Sequence, residues 1–365
     1  RLFGSLIIEG ADATKVPAGG ALAVDRDQFS KYVSEKIRTH PNITVVSEEI
    51  TEIPDAPAII ATGPLTSEEL SKKIQAFCGQ ETLHFYDAAA PIVTVESLNM
   101  DKIFRQSRYN RGDDYLNCPM NEEEYFAFVE QLIQGETVPV QGFEEKKVFE
   151  SCMPVESMAK RGVMSLAFGP LKPVGLVDPS TGKEAFAVVQ LRQENQEGTL
   201  YNLVGFQTRL TFPEQKRIFA MIPGLEKAAF ARFGVMHRNT FLQSPGLLNN
   251  EFEVISTPGL YFSGQIAGIE GYVESAASGM ITAFSLGRKI NGKAPVIFPR
   301  STAMGSLGYY VATPKKDFQP MHVSFGLIEE LPVISGQKRI RNKLQRYEAV
   351  ANRSLTICRE LATQF

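Results

Sequence analysis

Nowhere in the 365 residues does an apolar run approach the roughly 18 residues that a membrane span requires, and the opening shows no signal-peptide pattern. The expectation is a chain without membrane partners. Cysteine is scarce: Cys78, Cys118, Cys152 and Cys358 are widely scattered, with no CxxC pair and no Cys/His cluster. That scarcity argues against a metal site or a disulfide framework and for a reducing, cytoplasmic setting. A strong excess of either charge is missing too. The net charge of −3 argues against a protein that coats nucleic acid indiscriminately, and leaves room for a local basic patch. Internal repeats and low-complexity tracts are absent, and so is an initial methionine: the chain opens on Arg1 in RLFGSLIIEGADATKV, as though a preceding stretch had been cut away.

What is present reads as globular. Hydrophobic residues make up 43% and charged residues 22%, and the length allows two domains or three. Residues 1 to 65 read as α/β: SLIIEGADATKV as β-rich, DRDQFSKYVSEKIRTH as a helix with Phe29, Val33 and Ile37 on one face, NITVVSEEITEI as an alternating strand, and APAIIATGPL as a short buried strand ending at Gly63. A parallel sheet with crossover helices follows from that order, and Asp25 is placed to cap its helix. Between about 92 and 245 the pattern changes to polar helices such as NEEEYFAFVEQLIQ. Short strands follow in KEAFAVVQLRQEN and GTLYNLVGFQTRL, with a turn at DPSTGK. That shift predicts an inserted domain with an antiparallel sheet. Residues 246 to 290 return to strand, turn and helix, and a helix-rich C-terminus follows.

One stretch stands out: LYFSGQIAGIEGYVESAASGMITAFSLGRKI, residues 260–290. Leu260 to Phe262 read as a buried strand, and Gly264, Gly268 and Gly271 free the backbone of side chains. From Tyr272 the spacing is helical, with small Ala276, Ala277 and Gly279 facing what they pack against. A helix start offers unpaired amides and about half a positive charge. A phosphate suits it, as does the anionic edge of a flat reduced flavin. Tight helix–strand packing with no ligand explains the same pattern.

The strings VPAGGALAVDR, AIIATGPL, YLNCPM, VFESCMPVE, FGPLKPVGL, GFQTRL, IPGLEKAAFARFGVMHRNTF and GLYFSGQIAGIEGYVESAASG follow one another in the order of one family. Over nearly its full length the chain resembles the bacterial folate- and FAD-dependent tRNA (uracil-5-)-methyltransferases. The resemblance implies a mixed α/β fold. Its FAD-binding Rossmann-like domain, of glutathione-reductase type, spans residues 1–92 and 246–365, and a mixed α+β insertion spans 93–245. One departure is clear. The family opens on a strand followed by GxGxxG, and residues 1–40 hold no such motif, nor the additional functional cysteine that the family carries there. The sequence reads as the enzyme without its first βαβ portion.

In that family a methylene carbon passes from methylenetetrahydrofolate to C5 of uridine 54 in the tRNA T-loop. Flavin electrons reduce it to methyl, and NAD(P)H refills the flavin. Uracil C5 becomes nucleophilic once a thiolate adds at C6, and the resemblance assigns that thiolate, or a proton-transfer role, to Cys152 in VFESCMPVE. Lys146, Lys147 and Arg161 nearby in sequence favour a thiolate, whereas Glu150 and Glu156 oppose it. The other three cysteines read as packing. Gly264, Gln265, Gly268, Glu270 and Gly271 would line the flavin, with Thr62 and Gly63 close by; Glu270 serves equally as a carboxylate complementing the helix dipole. For tRNA, the acid-free segment GQKRIRNKLQRY offers Lys338, Arg339, Arg341, Lys343 and Arg346, and MHRNTF adds Arg238 beside His237, for tRNA or for folate glutamate. A solvated helix accounts for the first cluster as well. Two rivals remain: the related FAD enzyme that modifies wobble uridines, which shares IPGLE and the Gly-rich turn, and a remnant without cofactor that only binds RNA or protein.

Overall fold

A computed structural model of the chain describes residues 1–79, 83–139, 153–315, 318–332 and 340–365. The chain divides into two units. One comprises Arg1–Glu9, Val46–His84 and Asn239–Phe365, and the other Gly10–Val45 and Phe85–Arg238. The second unit thus interrupts the first, beginning at 85 and ending at 238, and it also takes residues 10–45, which the sequence suggested belonged with the first.

The interrupting unit is built on a six-stranded antiparallel sheet in the order Phe230–Arg232, Ile92–Thr94, Leu200–Leu203, Ala187–Gln193, Tyr115–Met120, Phe104–Arg105. Strand Ala187–Gln193 is its spine, pairing Leu191 with Leu203 on one side and Val189 with Cys118 on the other. Ala187, Val189 and Leu191 alternate into the main core, while Val188 turns to a smaller cluster with Phe104 and Leu176. The period-2 pattern therefore sorts side chains onto opposite faces.

Helix Glu122–Gln134 closes the core by burying Tyr125, Phe128, Val129 and Leu132. Its start is fixed by a reciprocal cap: Glu124 N donates to Asn121 Oδ1 (2.9 Å) and Asn121 N donates to Glu124 Oε2 (2.8 Å). A cap of this kind contributes about 1 kcal/mol. Asp25 caps helix Arg26–Arg38 as its position suggests, accepting from Gln28 N at 3.0 Å.

The first unit holds a parallel strand pair, with Ala58, Ile59 and Ile60 in register with Leu260, Tyr261 and Phe262. Around it lie helices Glu68–Cys78, Tyr272–Ile290, Ala303–Ala312 and Lys343–Ala362. Phe3, Phe284 and Phe365 pack together, the last two stacked at 4.0 Å.

Three local expectations are corrected. SLIIEGADATKV forms helix Leu6–Ala13 and then the short strand Lys15–Val16. Leu6, Glu9, Ala11 and Ala13 favour helix over strand, and Ser5 Oγ accepts from Ile8 N at the helix start. NITVVSEEITEI forms no strand: Val45 and Val46 are exposed, and alternation without a partner edge gives no ladder. The parallel partner of Ala58–Ile60 comes from residues 260–262, not from the first 65.

Candidate functional site

Strand Leu260–Phe262 is wholly buried, and its parallel register carries two chain segments off the same carboxyl edge. Ser263 N donates to Ile60 O at 2.9 Å, so Thr62 and Gly63 on one segment and Ser263 and Gly264 on the other leave that edge together. The carboxyl edge of parallel strands is where α/β folds place ligands. A turn of 3-10 helix, Gly264–Ala267, follows; Gly268 and Gly271 have φ of 83° and 101°, and helix Tyr272–Ile290 begins. Gly271, at the helix start, has no side chain to satisfy the first amides.

The three glycines do different work. At Gly268 a Cβ would lie 2.5 Å from Phe318, a ring 1% exposed, so that glycine makes room for protein. At Gly271 a Cβ would meet the Glu274 carboxylate at 2.3 Å. Gly264, with φ of 76°, has nothing nearer than Ser275 at 3.7 Å. Room for a methyl in ordinary contact with Ser275 therefore remains at Gly264. Likewise Gly63, with φ of 73°, faces nothing within 4 Å, and Thr62 is exposed, its hydroxyl 2.7 Å from Thr66 Oγ1.

A cavity of about 350 Å³ opens at the helix start, lined by Ile7, Gln265, Glu270, Gly271, Tyr272, Ser275 and Ala276. Of the residues singled out in sequence, Gln265, Glu270 and Gly271 line it. Gln265 Nε2 donates to Glu270 Oε2 at 3.3 Å, and Glu270 N donates to Met321 O at 3.0 Å. The first-turn acid that complements the helix dipole is Glu274, whose Oε1 accepts from Val323 N. Pockets for drug-sized ligands run from ~300 to 1,000 Å³, so this one suits one ring system rather than a whole dinucleotide. Bare backbone at Gly264, a helix start without a side-chain cap and an adjacent cavity fit the flat, anionic edge of a flavin.

Sequence reasoning missed the residue that ties the turn to the helix. Ser278 is fully buried; its Oγ donates to Ser275 O (2.7 Å), accepts from Gly264 N (2.9 Å) and lies 3.0 Å from Ser263 Oγ. The helix buries Ser278, Ile281, Thr282 and Ser285, leaving Ala276, Ala277 and Gly279 only half-buried. The hydroxyls at 278, 282 and 285 were the available signal, because their helical spacing marks a face that bonds rather than merely packs.

Cys152, Lys338 and Arg339 lie outside the described residues, as does the side chain of Arg238. The chain is described again from Met153; Val155 N donates to Gln207 O at 2.7 Å. Arg341 and Lys343 are exposed at the start of helix Lys343–Ala362, which Asn342 caps by accepting from Gln345 N. Lys343 and Arg346 flank the Tyr347 ring at 5.5 and 5.8 Å, and Tyr347 stacks on Phe325 at 4.0 Å.

Burial decides the character of the remaining cysteines. It pushes the fully buried Cys118 thiol far up, the Cys78 thiol up to about 11, and the Cys358 thiol up as well. At pH 7.5 a thiol of that strength is ionised roughly once in three thousand. Brief alkylation of the native protein at that pH should leave all three largely unmodified by peptide mapping. Fast labelling of Cys118 would contradict its buried, protonated state.

Among the described residues no group of His, Cys, Asp and Glu could hold a metal ion, and no helix is long and apolar enough to cross a membrane. The glucose inhibited division protein A family matches residues 1–294. A methylenetetrahydrofolate–tRNA-(uracil-5-)-methyltransferase TrmFO of Enterococcus faecalis is 56% identical over 98% of this chain and 81% of its own length. The protein of that name from Acetivibrio thermocellus is 55% identical over 100% and 83%. Among solved structures, Aquifex aeolicus GidA superposes with a TM-score of 0.65 at 14% identity, over 99% of this chain and 66% of that one. This last likeness is one of fold: the mixed α/β architecture matches that of GidA, as the sequence implied.

Proposed function

We infer the activity from a single premise: this chain belongs to the family of methylenetetrahydrofolate–tRNA-(uracil-5-)-methyltransferases, within the wider glucose inhibited division protein A family. It methylates C5 of a uracil in tRNA with the one-carbon unit of methylenetetrahydrofolate. FAD, which the family uses, supplies the electrons that convert the transferred methylene to methyl. Placement of the target at uridine 54 of the T-loop, and refilling of the flavin by NAD(P)H, are proposals that rest on the resemblance.

The observation that supports a flavin seat is the open backbone at Gly264, between the buried strand and the cavity at the helix start. There Gln265, Glu270 and Gly271 would hold the ring, with Gly268, packed under Phe318, keeping the turn in shape. Thr62 and Gly63, leaving the same strand edge, would border it. Cys152 we assign to uracil. Its thiolate forms a bond to C6, and the electron pair at C5 takes up the methylene carbon; loss of the C5 proton expels the folate nitrogen from that carbon, and reduction of the resulting methylene to methyl, with electrons that FAD would supply, releases the thiolate and restores the ring.

The T-loop uridine is held within folded tRNA and must be extruded, so the phosphate backbone needs a cationic seat. Lys338, Arg339, Arg341, Lys343, Arg346 and Arg238 are proposed for it. The first turn of helix Lys343–Ala362 carries no acid, and cations there are unfavourable by about 0.3–1 kcal/mol until an anion arrives. The test is transfer of label from methylenetetrahydrofolate into a T-arm RNA as salt is varied. Wild-type protein should label it. Glutamate at Lys338, Arg339 and Arg341 together should raise the RNA KM by roughly tenfold or more and flatten the salt slope by about three. An unlabelled RNA with wild-type protein removes the activity, and an unchanged slope moves the seat elsewhere.

A further inference from the structure

The interrupting unit contains a second cavity, of about 210 Å³, walled by Val138, Thr208, Arg209, Leu210, Phe212 and the segment Gly234–Met236. Two fully buried polar side chains pin its walls. Glu156 accepts from Thr208 Oγ1 and from Arg209 N, both at 2.8 Å, and its carboxylate lies 3.9 Å from Arg209 Nε. Gln215 donates to Leu210 O and to Gly234 O and accepts from Gly234 N, each at 2.8 Å, so it stitches one wall to the other. A Cβ at Gly234 would strike Thr208 at 2.6 Å, which shows how closely the two walls approach. Burial raises the Glu156 carboxyl, as expected of a group held for architecture.

At the mouth stands Phe212, 49% exposed. Its ring stacks on Phe233 at 4.5 Å and 16°, and Phe233 stacks on Phe230 at 4.9 Å and 16°. Lys216, one helical turn on from Phe212, sits 5.5 Å from the Phe233 ring and is exposed. An aromatic face backed by two further rings and flanked by an ammonium group is how proteins seat unpaired bases and their phosphates.

We propose that this slot receives a single pyrimidine extruded from RNA, stacked at Phe212, with the adjoining phosphate steered by Lys216. The size favours one ring over a pterin with its aryl and glutamate tail, because ~300 Å³ is the lower bound for drug-sized ligands. Gln207, next in sequence to the wall residue Thr208, accepts through its carbonyl from Val155 N, and Val155 is three residues beyond Cys152 in sequence. The proposal rests on the RNA-methylating reading and specifies where its base is held.

The test is photo-crosslinking of a T-arm RNA carrying 4-thiouridine at the target position, with peptide mapping, beside steady-state kinetics of Phe212→Ala and Phe212→Tyr. The crosslink should map to residues 207–216 or 233–236. Phe212→Ala should raise the RNA KM about 5- to 100-fold, the range lost with one base–aromatic stack, while flavin content and the KM for methylenetetrahydrofolate stay as in wild type. Phe212→Tyr should restore the RNA KM. A crosslink mapping elsewhere overturns the proposal, as does a Phe212→Ala variant with unchanged RNA KM. A rise confined to the folate KM overturns it in favour of a folate occupant. Wild-type protein that transfers no carbon sinks the broader activity instead, since the crosslink needs no turnover and still decides the slot.

Discussion

Cys152→Ala protein should transfer no one-carbon unit to tRNA while holding as much flavin as the wild type. Adding a thiolate at C6 creates the nucleophile at C5, so its removal deletes a bond-forming step rather than an orienting contact. Loss of such a group costs on the order of 10³-fold or more in turnover. The three described cysteines cannot stand in for it: Cys118 is fully buried in the sheet core, and burial raises all three thiols. Cys118→Ala is the matched control, expected to lower stability through a core void while leaving turnover per folded molecule within a few-fold. The checks are label incorporated into tRNA and the visible flavin absorbance of the purified variants. Methylation by Cys152→Ala within tenfold of wild type would take this residue out of the chemistry.

Alanine at Gly268 and at Gly264 should fail in opposite ways. Both glycines have positive φ, so each substitution carries backbone strain of roughly 1–2 kcal/mol. At Gly268 the added methyl also meets Phe318 at 2.5 Å; that ring is pressed against Tyr310 and Phe241 and has nowhere to retreat. Overpacking of this kind adds about 1–3 kcal/mol. Gly268→Ala should therefore lower Tm markedly and lose flavin through unfolding of the turn. Gly264→Ala meets only Ser275 at 3.7 Å, so its Tm should fall little, yet on the proposed flavin seat the methyl would stand where a flat ring approaches. Its flavin affinity should drop by tenfold or more. Equal flavin affinity in Gly264→Ala and wild type would show that the ring does not lie against this backbone.

The sequence made the site's frame legible because it is local. Strand Leu260–Phe262, the glycine turn and the helix from Tyr272 are contiguous, and their apolar run and glycine spacing suffice to place them. The same holds for the cap at Asp25, where donor and acceptor lie three residues apart. Contacts between distant segments were hidden. Nothing in GQIAGIEG announces that Gly268 is reserved for Phe318, or that Ser278 reaches back to the Gly264 amide. Glu270 drew attention as the conspicuous acid, yet Glu274 stands in the first helical turn, a distinction that depends on where the helix starts. Val45 and Val46 alternate like a strand but find no partner, because alternation specifies a face and not a neighbour. The second cavity was invisible for a related reason: its walls come from residues 138, 208–210, 212 and 234–236, and although GFQTRL and IPGLEKAAFARFGVMHRNTF run through two of these segments, neither string announces that they meet.

The parallel pairing of Ala58–Ile60 with Leu260–Phe262 has a consequence for how the protein is made. On the ribosome, the earlier strand emerges long before its mate, and the whole interrupting unit is synthesised in between. Closing so long a loop costs only logarithmically more than closing a short one, and a unit already folded leaves less slack to gather. The edge proposed to face the cofactor is thus completed only after Phe262 has been translated, and until then the nascent chain must keep Ile59 and Ile60 from pairing with a neighbour's strand.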